Sequence, residues 1–293
     1  MISQIAGPVH SLPGPGNLGT RLYIFIKYLK QLPILSLSYM GTIIYSISIH
    51  PSMELTMDSK GLKAAFKAIS TQVDSLKVVP DELGWRLYAM GADKVSMVDA
   101  RINVEAFTEG YEVWPGFCVD VKVFLDALAK AGDTAKVELG EGYLVIRSGS
   151  LRLVRPLLAD IEQVIRVPKV ENTIEAMLSV DDMMDIAAGA DSKGKYQRCR
   201  LRMMEDRLEM EVSEYQDPYT TTVVIPKERM TLMGGEGSCL YPLHHLLTMI
   251  SAIPKGTQVD LCFDENSLLE MRFDVGHTDI LMVLCPQVEE DGP

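Results

Sequence analysis

The sequence lacks the short motifs that identify the common enzyme classes. It has no GxxxxGK(S/T) nucleotide loop, no HExxH metal motif, no GxSxG nucleophile elbow and no GxGxxG dinucleotide loop. Its five cysteines are scattered and form no CxxC, so neither a zinc site nor a disulfide framework is expected, and no cofactor is expected either. These absences favour a binding or scaffolding protein over an enzyme.

Positive charge is also scarce. The chain has 28 Lys and Arg against 40 Asp and Glu, a net charge of −12. This excludes a protein that grips nucleic acid over its whole surface. The charge is unevenly placed, because residues 53–156 carry 13 basic and 15 acidic residues, whereas residues 173–293 carry 10 and 22.

A long uninterrupted apolar run is missing from the first 52 residues, which contain no acidic residue. Lys27, Lys30, Gln31 and Pro33 interrupt their apolar stretch, so no run reaches the ~18–20 residues of a membrane span. The composition changes sharply at Met53. We expect Met53 to be the natural start and residues 1–52 to be upstream sequence; the alternative is a membrane-associating extension, and N-terminal sequencing of the natural protein separates the two.

What the sequence does contain is a duplication. The connector Leu157–Thr173 lacks clear periodicity and is long for a loop inside a compact domain. A helix, paired strands, a second helix and further paired strands lie on each side of it, at an offset of roughly 120 residues. The sequence therefore predicts two duplicated domains, at 53–156 and 174–293, joined by a connector at 157–173.

In the first half, Leu62, Phe66 and Ile69 recur at helical spacing after a short strand at Leu55–Met57, and Asp58 or Ser59 can cap the helix. A strand pair with one buried face is predicted over Gly84–Ile102. A second helix is predicted at 120–131, and three strands at 135–139, 142–148 and 150–157.

In the second half, the first helix carries Asp181, Asp182 and Asp185 where the first half has lysines. The second helix carries His244 and His245, which as neighbours point to different faces and do not suit a joint metal site. Arg198, Arg200 and Arg202 alternate, so they lie on one face of a strand.

Three stretches together resemble the DNA sliding clamps of the proliferating-cell-nuclear-antigen family, archaeal type. They are LYAMGADKVSMVDARI (Leu87–Ile102), LAKAGD (Leu128–Asp133) and the C-terminal VLCPQVEED. The resemblance runs from Met53 to the end. Two departures are Gly91 where the family has Asp, and Cys285-Pro286 where it has Ala-Pro.

The resemblance implies an α+β fold, the DNA clamp fold, with sheets outside and helices lining a ring. Three subunits would close head to tail around duplex DNA, bound without sequence specificity, and tether DNA polymerase to its template. Other implied partners are the clamp loader and flap endonuclease and ligase type proteins, which dock short peptide motifs. No small-molecule substrate is implied, and the expected location is the cytoplasm, with the nucleoid.

The resemblance also assigns residues. The implied DNA-facing lysines are Lys60, Lys63, Lys67, Lys122 and Lys130, with Lys193 and Lys195 as our hypothesis for the second half, where the helices are acidic or neutral. The alternative for Lys60, Lys63 and Lys67, which share one helix face, is an ordinary solvated surface.

The implied partner pocket and subunit contact take further residues. The pocket uses Met90, Lys94, Val95, Met97, Leu157, Leu158, Ile161, Cys285, Pro286 and Val288. Met97 is nearly as well explained as a core residue. The subunit contact pairs the edge strand that contains Leu151, Leu153 and Arg155 with the neighbour's strand that contains Thr220, Thr222 and Val224.

Two other functions stay open at this point. One is a divergent relative that forms a heteromeric, checkpoint-type clamp ring. The other is a duplicated-domain enzyme, which an apolar pocket with a perturbed acid would favour.

Overall fold

A computed structural model describes residues 53–162, 167–189, 197–214 and 220–288. The first half runs β1 (Met53–Asp58), α1 (Ser59–Ile69), β2 (Ser75–Asp81), β3 (Gly84–Met90), β4 (Ser96–Asn103), β5 (Phe107–Glu109), β6 (Phe117–Asp120), α2 (Val121–Ala129), β7 (Thr134–Gly140), β8 (Tyr143–Ser148) and β9 (Leu151–Pro156). The second half runs β10 (Ile174–Ser179), α3 (Val180–Gly189), β11 (Gln197–Met203), β12 (Arg207–Glu214), β13 (Thr220–Pro226), β14 (Leu232–Gly234), β15 (Gly237–Pro242), α4 (Leu243–Ala252), β16 (Gln258–Phe263), β17 (Leu269–Asp274) and β18 (Thr278–Leu284).

The two halves contain the same elements in the same order. Even a single turn of 3-10 helix recurs at the same place, after β4 at Val104–Ala106 and after β13 at Lys227–Arg229. Both halves also tie the first residue of their first helix to the residue before their seventh strand, through Ser59 N to Asp133 O and Val180 N to Thr257 O, at 2.8 and 2.9 Å. The backbone therefore repeats in detail where the sequence repeats only in pattern.

The strands form three antiparallel sheets. A five-stranded sheet has the order β5-β1-β7-β8-β9, and a four-stranded sheet has the order β13-β12-β11-β15. The third has nine strands in the order β14-β10-β16-β17-β18-β4-β3-β2-β6. The two halves join in this sheet, because β18 pairs with β4 from Thr278 opposite Ile102 to Leu284 opposite Ser96.

The helices pack side by side on the sheets. The α1 helix contacts β3, β4 and β18, and it lies next to both α2 and α4; α4 in turn lies next to α3. The Phe66 and Phe124 rings stack with centroids 4.2 Å apart and so join α1 to α2. A row of four helices, α2-α1-α4-α3, thus covers one side of the joined halves.

Local sequence explains where α1 and α2 begin. Asp58 accepts a hydrogen bond from Lys60 N at 3.0 Å, and Asp120 accepts one from Val123 N at 2.8 Å. Each carboxylate satisfies a free N–H group of the first turn. Leu62, Phe66 and Ile69 are fully buried, as their spacing predicts.

The strand pair over Gly84–Ile102 differs from the prediction, because part of its second face is also buried. Leu87 and Val98 face the main core, whereas Tyr88 and Met97 are buried with Val283 in a small cluster on the other face. The prediction of one buried face was wrong, since β18 and the connector supply neighbours that lie far away in sequence.

The connector contains no helix or strand in its described residues, 157–162 and 167–173. Leu158 forms an isolated antiparallel bridge with Cys118. All five cysteines are free thiols. No helix among the described residues is both long and apolar enough to cross a membrane.

Candidate functional site

The solvent side of α1 and α2 is basic. Lys60 and Lys67 are exposed and Lys63 is half-buried, on the side of α1 opposite Leu62 and Phe66. Two more exposed lysines, Lys122 and Lys130, lie on and just after α2. The structure therefore brings the five first-half lysines to one helical layer.

Two of these lysines also bind the carboxyl ends of neighbouring helices. Lys63 Nζ donates to Ala131 O at 2.9 Å and to Gly132 O at 3.3 Å, just beyond α2. Lys67 Nζ donates to Ser251 O at 2.8 Å, in the last turn of α4. A cation at a helix carboxyl end is favoured by the helix dipole and satisfies a free carbonyl. Lys63 and Lys67 thus have a structural role that the sequence did not predict.

The acidic residues of α3 are less available than the sequence suggests. Asp182 is buried and forms an ion pair with Arg229. Asp181 accepts a hydrogen bond from Gly256 N at 3.0 Å. Asp185 is exposed on α3, and His244 is exposed on α4. Asp181 and Asp185 thus remain as two exposed carboxylates on α3, while Lys193 and Lys195 lie outside the described residues.

The three alternating arginines of β11 lie on the outer side of the four-stranded sheet. Between them, Cys199 and Leu201 are buried in the core beneath the helices. Arg202 pairs with Glu209 on β12 at 3.4 Å. Arg198, Arg200 and Arg202 therefore do not belong to the helical layer.

An apolar surface cluster lies on the outer side of the nine-stranded sheet. Tyr88, Met97 and Val283 form its buried base. Met90, Val167, Leu268 and Leu281 pack against that base and are half-buried. Val167 was missed from sequence; its signal was an apolar residue directly before Pro168 in an otherwise polar stretch.

The C-terminal segment runs beside this cluster. Cys285 N donates to Val95 O at 2.8 Å, and Gln287 N donates to Leu240 O at 2.7 Å. Lys94 has a left-handed φ of 61° in the turn between β3 and β4. The structure thus brings together the predicted Lys94, Val95 and Cys285, followed by Pro286 and the exposed Val288.

The start of the connector lies elsewhere. Leu158 N donates to Cys118 O at 2.9 Å and Ile161 N to Cys118 Sγ at 3.4 Å, while Leu157 N donates to Gly142 O at 3.0 Å. Cys118 is in β6, the edge strand, which three strands separate from β18. Among the described connector residues, Val167 contacts the apolar cluster, and the predicted Leu157, Leu158 and Ile161 lie at the sheet edge.

An ion pair holds this part of the connector. Lys77 Nζ lies 2.6 Å from Asp160 Oδ1. The hydrogen bond raises the pKa of Lys77 and lowers that of Asp160. Asp160 is exposed and Lys77 is half-buried, so solvent weakens the pair, which fixes geometry more than it adds stability.

Two of the six edge strands of the described sheets carry an exposed valine, and they are β9 and β13. β9 ends the five-stranded sheet and β13 ends the four-stranded sheet. Val154 on β9 is 44% exposed and Val224 on β13 is 48% exposed. Along the same strands, Leu151, Leu153 and Arg155 are half-buried and Thr220 and Thr222 are exposed. Such edges offer unpaired N–H and C=O groups to another chain.

A cavity of about 430 Å³ adjoins the β9 edge. Its walls are mainly apolar and include Val123 and Phe124 of α2 and Leu144 of β8, with Arg155 at β9. Asp120, which also lines it, is occupied as the cap of α2. An apolar hollow beside an open edge suits contact between chains more than chemistry.

Comparison with known proteins gives a consistent picture. No family model matches the chain. It is 27% identical over 245 residues to the DNA polymerase sliding clamp of Natronomonas pharaonis, covering 78% of this chain and 96% of the relative. It is 25% identical over 249 residues to the DNA polymerase sliding clamp of Methanothrix thermoacetophila, covering 82% of this chain and 100% of the relative.

Solved structures agree at the level of the fold. The structure of A. fulgidus PCNA bound to the C-terminal region of FEN-1 superposes with a TM-score of 0.71 at 18% identity, covering 82% of this chain and 100% of that one. The predicted α+β fold is confirmed: the chain has the DNA clamp fold, and it resembles archaeal sliding clamps over nearly their whole length.

Proposed function

We propose that this chain is the subunit of a DNA sliding clamp, a ring that encircles duplex DNA and tethers DNA polymerase and other replication and repair proteins to it. The observation that carries the proposal is the helical layer. In a chain of net charge −12, five lysines are gathered on one solvent-facing surface of two adjacent helices. A surface of this kind attracts phosphates locally while the rest of the molecule repels them.

The physical logic of sliding supports this assignment. Contacts to phosphate alone are independent of sequence, so a ring held by them can move along the duplex. The side chains of Lys60, Lys122 and Lys130 are free to follow the phosphates, whereas Lys63 and Lys67 are also held at helix ends. We place the two clamp domains at 53–156 and 174–293, with 157–173 as the connector between them.

Ring closure would use the edge strands β9 and β13. β9 of one subunit would pair with β13 of the next, and the cavity beside β9 would be covered in the contact. Because the two edges differ, the contact is head to tail and generates a closed ring when the rotation suits. Three subunits are the proposed number.

Partners would dock on the outer side. The apolar cluster around Met90 and Val167, flanked by Val95 and the segment from Cys285, is half-buried and rich in methionine, which adapts to different ligands. Peptide motifs of polymerase, clamp loader, flap endonuclease and ligase type proteins are the proposed ligands. The role is non-catalytic and is exerted at the DNA in the cell interior.

A retention assay tests the ring. The chain is loaded on nicked circular duplex with an archaeal clamp loader, freed of unbound protein, and the circle is then cut once. An encircling ring stays on the uncut circle and slides off the ends of the cut DNA. Its half-life on the cut DNA should be longer when the two ends are blocked than when they are free. Equal loss from both forms contradicts the proposal.

Light scattering on the same preparation gives the number of subunits. A trimer supports a self-closing ring. A monomer that forms rings only with different chains would instead favour the heteromeric, checkpoint-type clamp.

A further inference from the structure

One contact joins the second half's helix α4 to the turn between β3 and β4 in the first half. His245 Nε2 lies 3.2 Å from Asp93 Oδ2. We infer that His245 is a positioning residue for partner binding: through Asp93 it latches the β3–β4 turn onto α4 and so sets the shape of the surface on which partner peptides dock. The inference rests on the proposed function.

The two carboxylate oxygens of Asp93 contact different partners. Oδ1 accepts a hydrogen bond from Val95 N at 3.0 Å, inside the turn. Oδ2 faces His245. The turn is closed by Gly91 N to Ser96 O and Lys94 N to Gly91 O, both at 2.9 Å. Asp93 therefore fixes the turn internally and also ties it to α4.

Gly91 makes room for this arrangement. A Cβ at position 91 would lie 2.9 Å from Asp93 Oδ1 and 3.1 Å from Gln72 Oε1. The φ of Gly91 is not positive, so the glycine is needed for space and not for conformation. One of the two positions where this chain departs from the resembled family is thus the position that lets Asp93 turn inward.

The β3–β4 turn also holds the C-terminal segment. Val95 O accepts from Cys285 N at 2.8 Å, and two residues later Gln287 N donates to Leu240 O at 2.7 Å. Leu240 is in β15, which continues directly into α4 and His245. The contacts thus connect α4 to the turn, the turn to the C-terminal segment, and that segment to β15, which leads back into α4. Loss of the His245 contact removes the connection between α4 and the turn.

Several charged groups surround the His245 contact. The His244 ring is 5.7 Å away, and Lys94 and Cys285 flank Asp93; burial first, and Asp93 second, raises the pKa of the Cys285 thiol. The titratable groups on elements packed against α4 are Lys60, Lys63, Lys67, Asp181, Asp182, Asp185, Arg198, Cys199, Arg200, Arg202, Cys239, Tyr241 and Asp279. Asp93 is the carboxylate in contact with the His245 ring.

The test uses the full chain and a labelled peptide of the C-terminal region of FEN-1, with dissociation constants from fluorescence anisotropy. His245→Ala is expected to weaken binding about threefold to fivefold, the ratio that the loss of one partly exposed polar contact gives. His245→Gln keeps an N–H donor for Asp93, so it is expected to restore the affinity.

The matched control is His244→Ala, which changes the adjacent histidine on the same helix without touching Asp93. It is expected to leave the dissociation constant unchanged. A second readout is amide hydrogen exchange at Cys285 and Gln287, which should quicken in His245→Ala and not in His244→Ala.

The outcomes separate the two levels of the argument. If wild type binds the peptide and His245→Ala binds equally well, or if His244→Ala causes the same loss, the inference is wrong and the proposed function stands. If wild type does not bind the peptide, the proposed partner surface fails and the inference falls with it.

Discussion

Lys67 on α1 donates a hydrogen bond from Nζ to Ser251 O on α4 at 2.8 Å, across the boundary between the two halves. The lysine therefore does two things at once. It supplies positive charge to the helical layer, and it satisfies a carbonyl in the last turn of a helix that carries no basic residue of its own there. Its neighbour Lys60 supplies the same charge from an exposed position.

This difference gives a first prediction. Lys60→Ala and Lys67→Ala are each expected to lower the salt dependence of DNA binding by about one unit of slope, since each removes one phosphate contact. Lys67→Ala alone should also lower the free energy of unfolding, by about 0.5–1.5 kcal/mol, for the lost bond to Ser251. Salt titrations and denaturant unfolding measure the two effects. Equal stability of the two variants would contradict the role of Lys67 at α4.

A second prediction concerns the buried acid of α3. Arg229→Ala leaves the buried Asp182 carboxylate without its ion-pair partner and is expected to cost about 2–3 kcal/mol of stability. The exposed Asp185 provides the control: Asp185→Ala should change stability by less than about 0.5 kcal/mol.

DNA binding separates the same two variants in the opposite sense. Asp185→Ala removes a free negative charge from the helical layer and should tighten DNA binding, most clearly at low salt. Arg229→Ala should not. A clear loss of affinity in Arg229→Ala would show that the unpaired Asp182 carboxylate also faces the DNA, since an uncompensated negative charge repels phosphates.

Features set by residues close together in sequence were predictable, whereas features set by contacts between residues far apart in sequence were not. Helix α1 was predictable because Leu62, Phe66 and Ile69 are spaced for a buried stripe and Asp58 can cap it. The pairing of β4 with β18 was not, because it joins residues about 180 positions apart and no local pattern encodes such a register. The second buried face of the Gly84–Ile102 strand pair was missed for the same reason.

The candidate site divides in the same way. The lysine face of α1 follows from helical spacing, whereas the contacts of Lys63 and Lys67 with neighbouring helix ends depend on packing. The ion pair of Asp182 on α3 was not predictable because its partner Arg229 is 47 residues away in sequence. Val167 reaches the apolar cluster through the path of the connector, which carries no periodic signal.

The two methionines of the apolar cluster give a third prediction. Met97 is buried and Met90 is half-buried. Met97→Ala is expected to cost about 2 kcal/mol of stability, whereas Met90→Ala should cost clearly less and still weaken binding of a FEN-1 C-terminal peptide several-fold. Thermal unfolding and anisotropy distinguish the two roles. Unchanged peptide binding in Met90→Ala would remove Met90 from the docking surface.

Two aspartates give a fourth prediction, with opposite signs. Burial, and then the facing carboxylate of Asp279, raises the pKa of Asp274, so the native state keeps a proton that the unfolded chain releases. Stability from Asp274 is therefore present at low pH and is lost as pH rises above the unfolded value near 4. Hydrogen bonds from Thr173 lower the pKa of Asp264, so its contribution is present at neutral pH and is lost as pH falls through the lowered value.

Melting temperatures of the two amide variants test these signs. Asp274→Asn should melt at a higher temperature than wild type at pH 7. The gain in free energy of unfolding should be about 0.2–1 kcal/mol, the usual effect of like charges facing each other across strands, and it should shrink toward pH 4. Asp264→Asn should melt below wild type at pH 7. A gain in Asp274→Asn that grows as the pH falls would reverse the assignment.

Three valines of nearly equal exposure give the last prediction, on ring closure. Val154 on edge strand β9 is 44% exposed, Val224 on edge strand β13 is 48% exposed, and Val79 is 45% exposed on β2, which is paired on both sides. A lysine at either edge position places a solvated charge in the proposed contact between subunits and should dissociate the assembly. Val79→Lys adds the same charge to a surface outside that contact and should leave the assembly whole. Light scattering at equal protein concentration compares the three variants, with thermal unfolding as a check that each is folded.

A mixture of the two edge variants tests whether β9 and β13 meet each other. The Val154→Lys chain keeps an unchanged β13 and the Val224→Lys chain keeps an unchanged β9. An equimolar mixture of the folded chains should therefore form dimers through these two strands, while neither variant alone should. Dissociation by Val79→Lys as well, or no dimer in the mixture, would contradict pairing of these two edges.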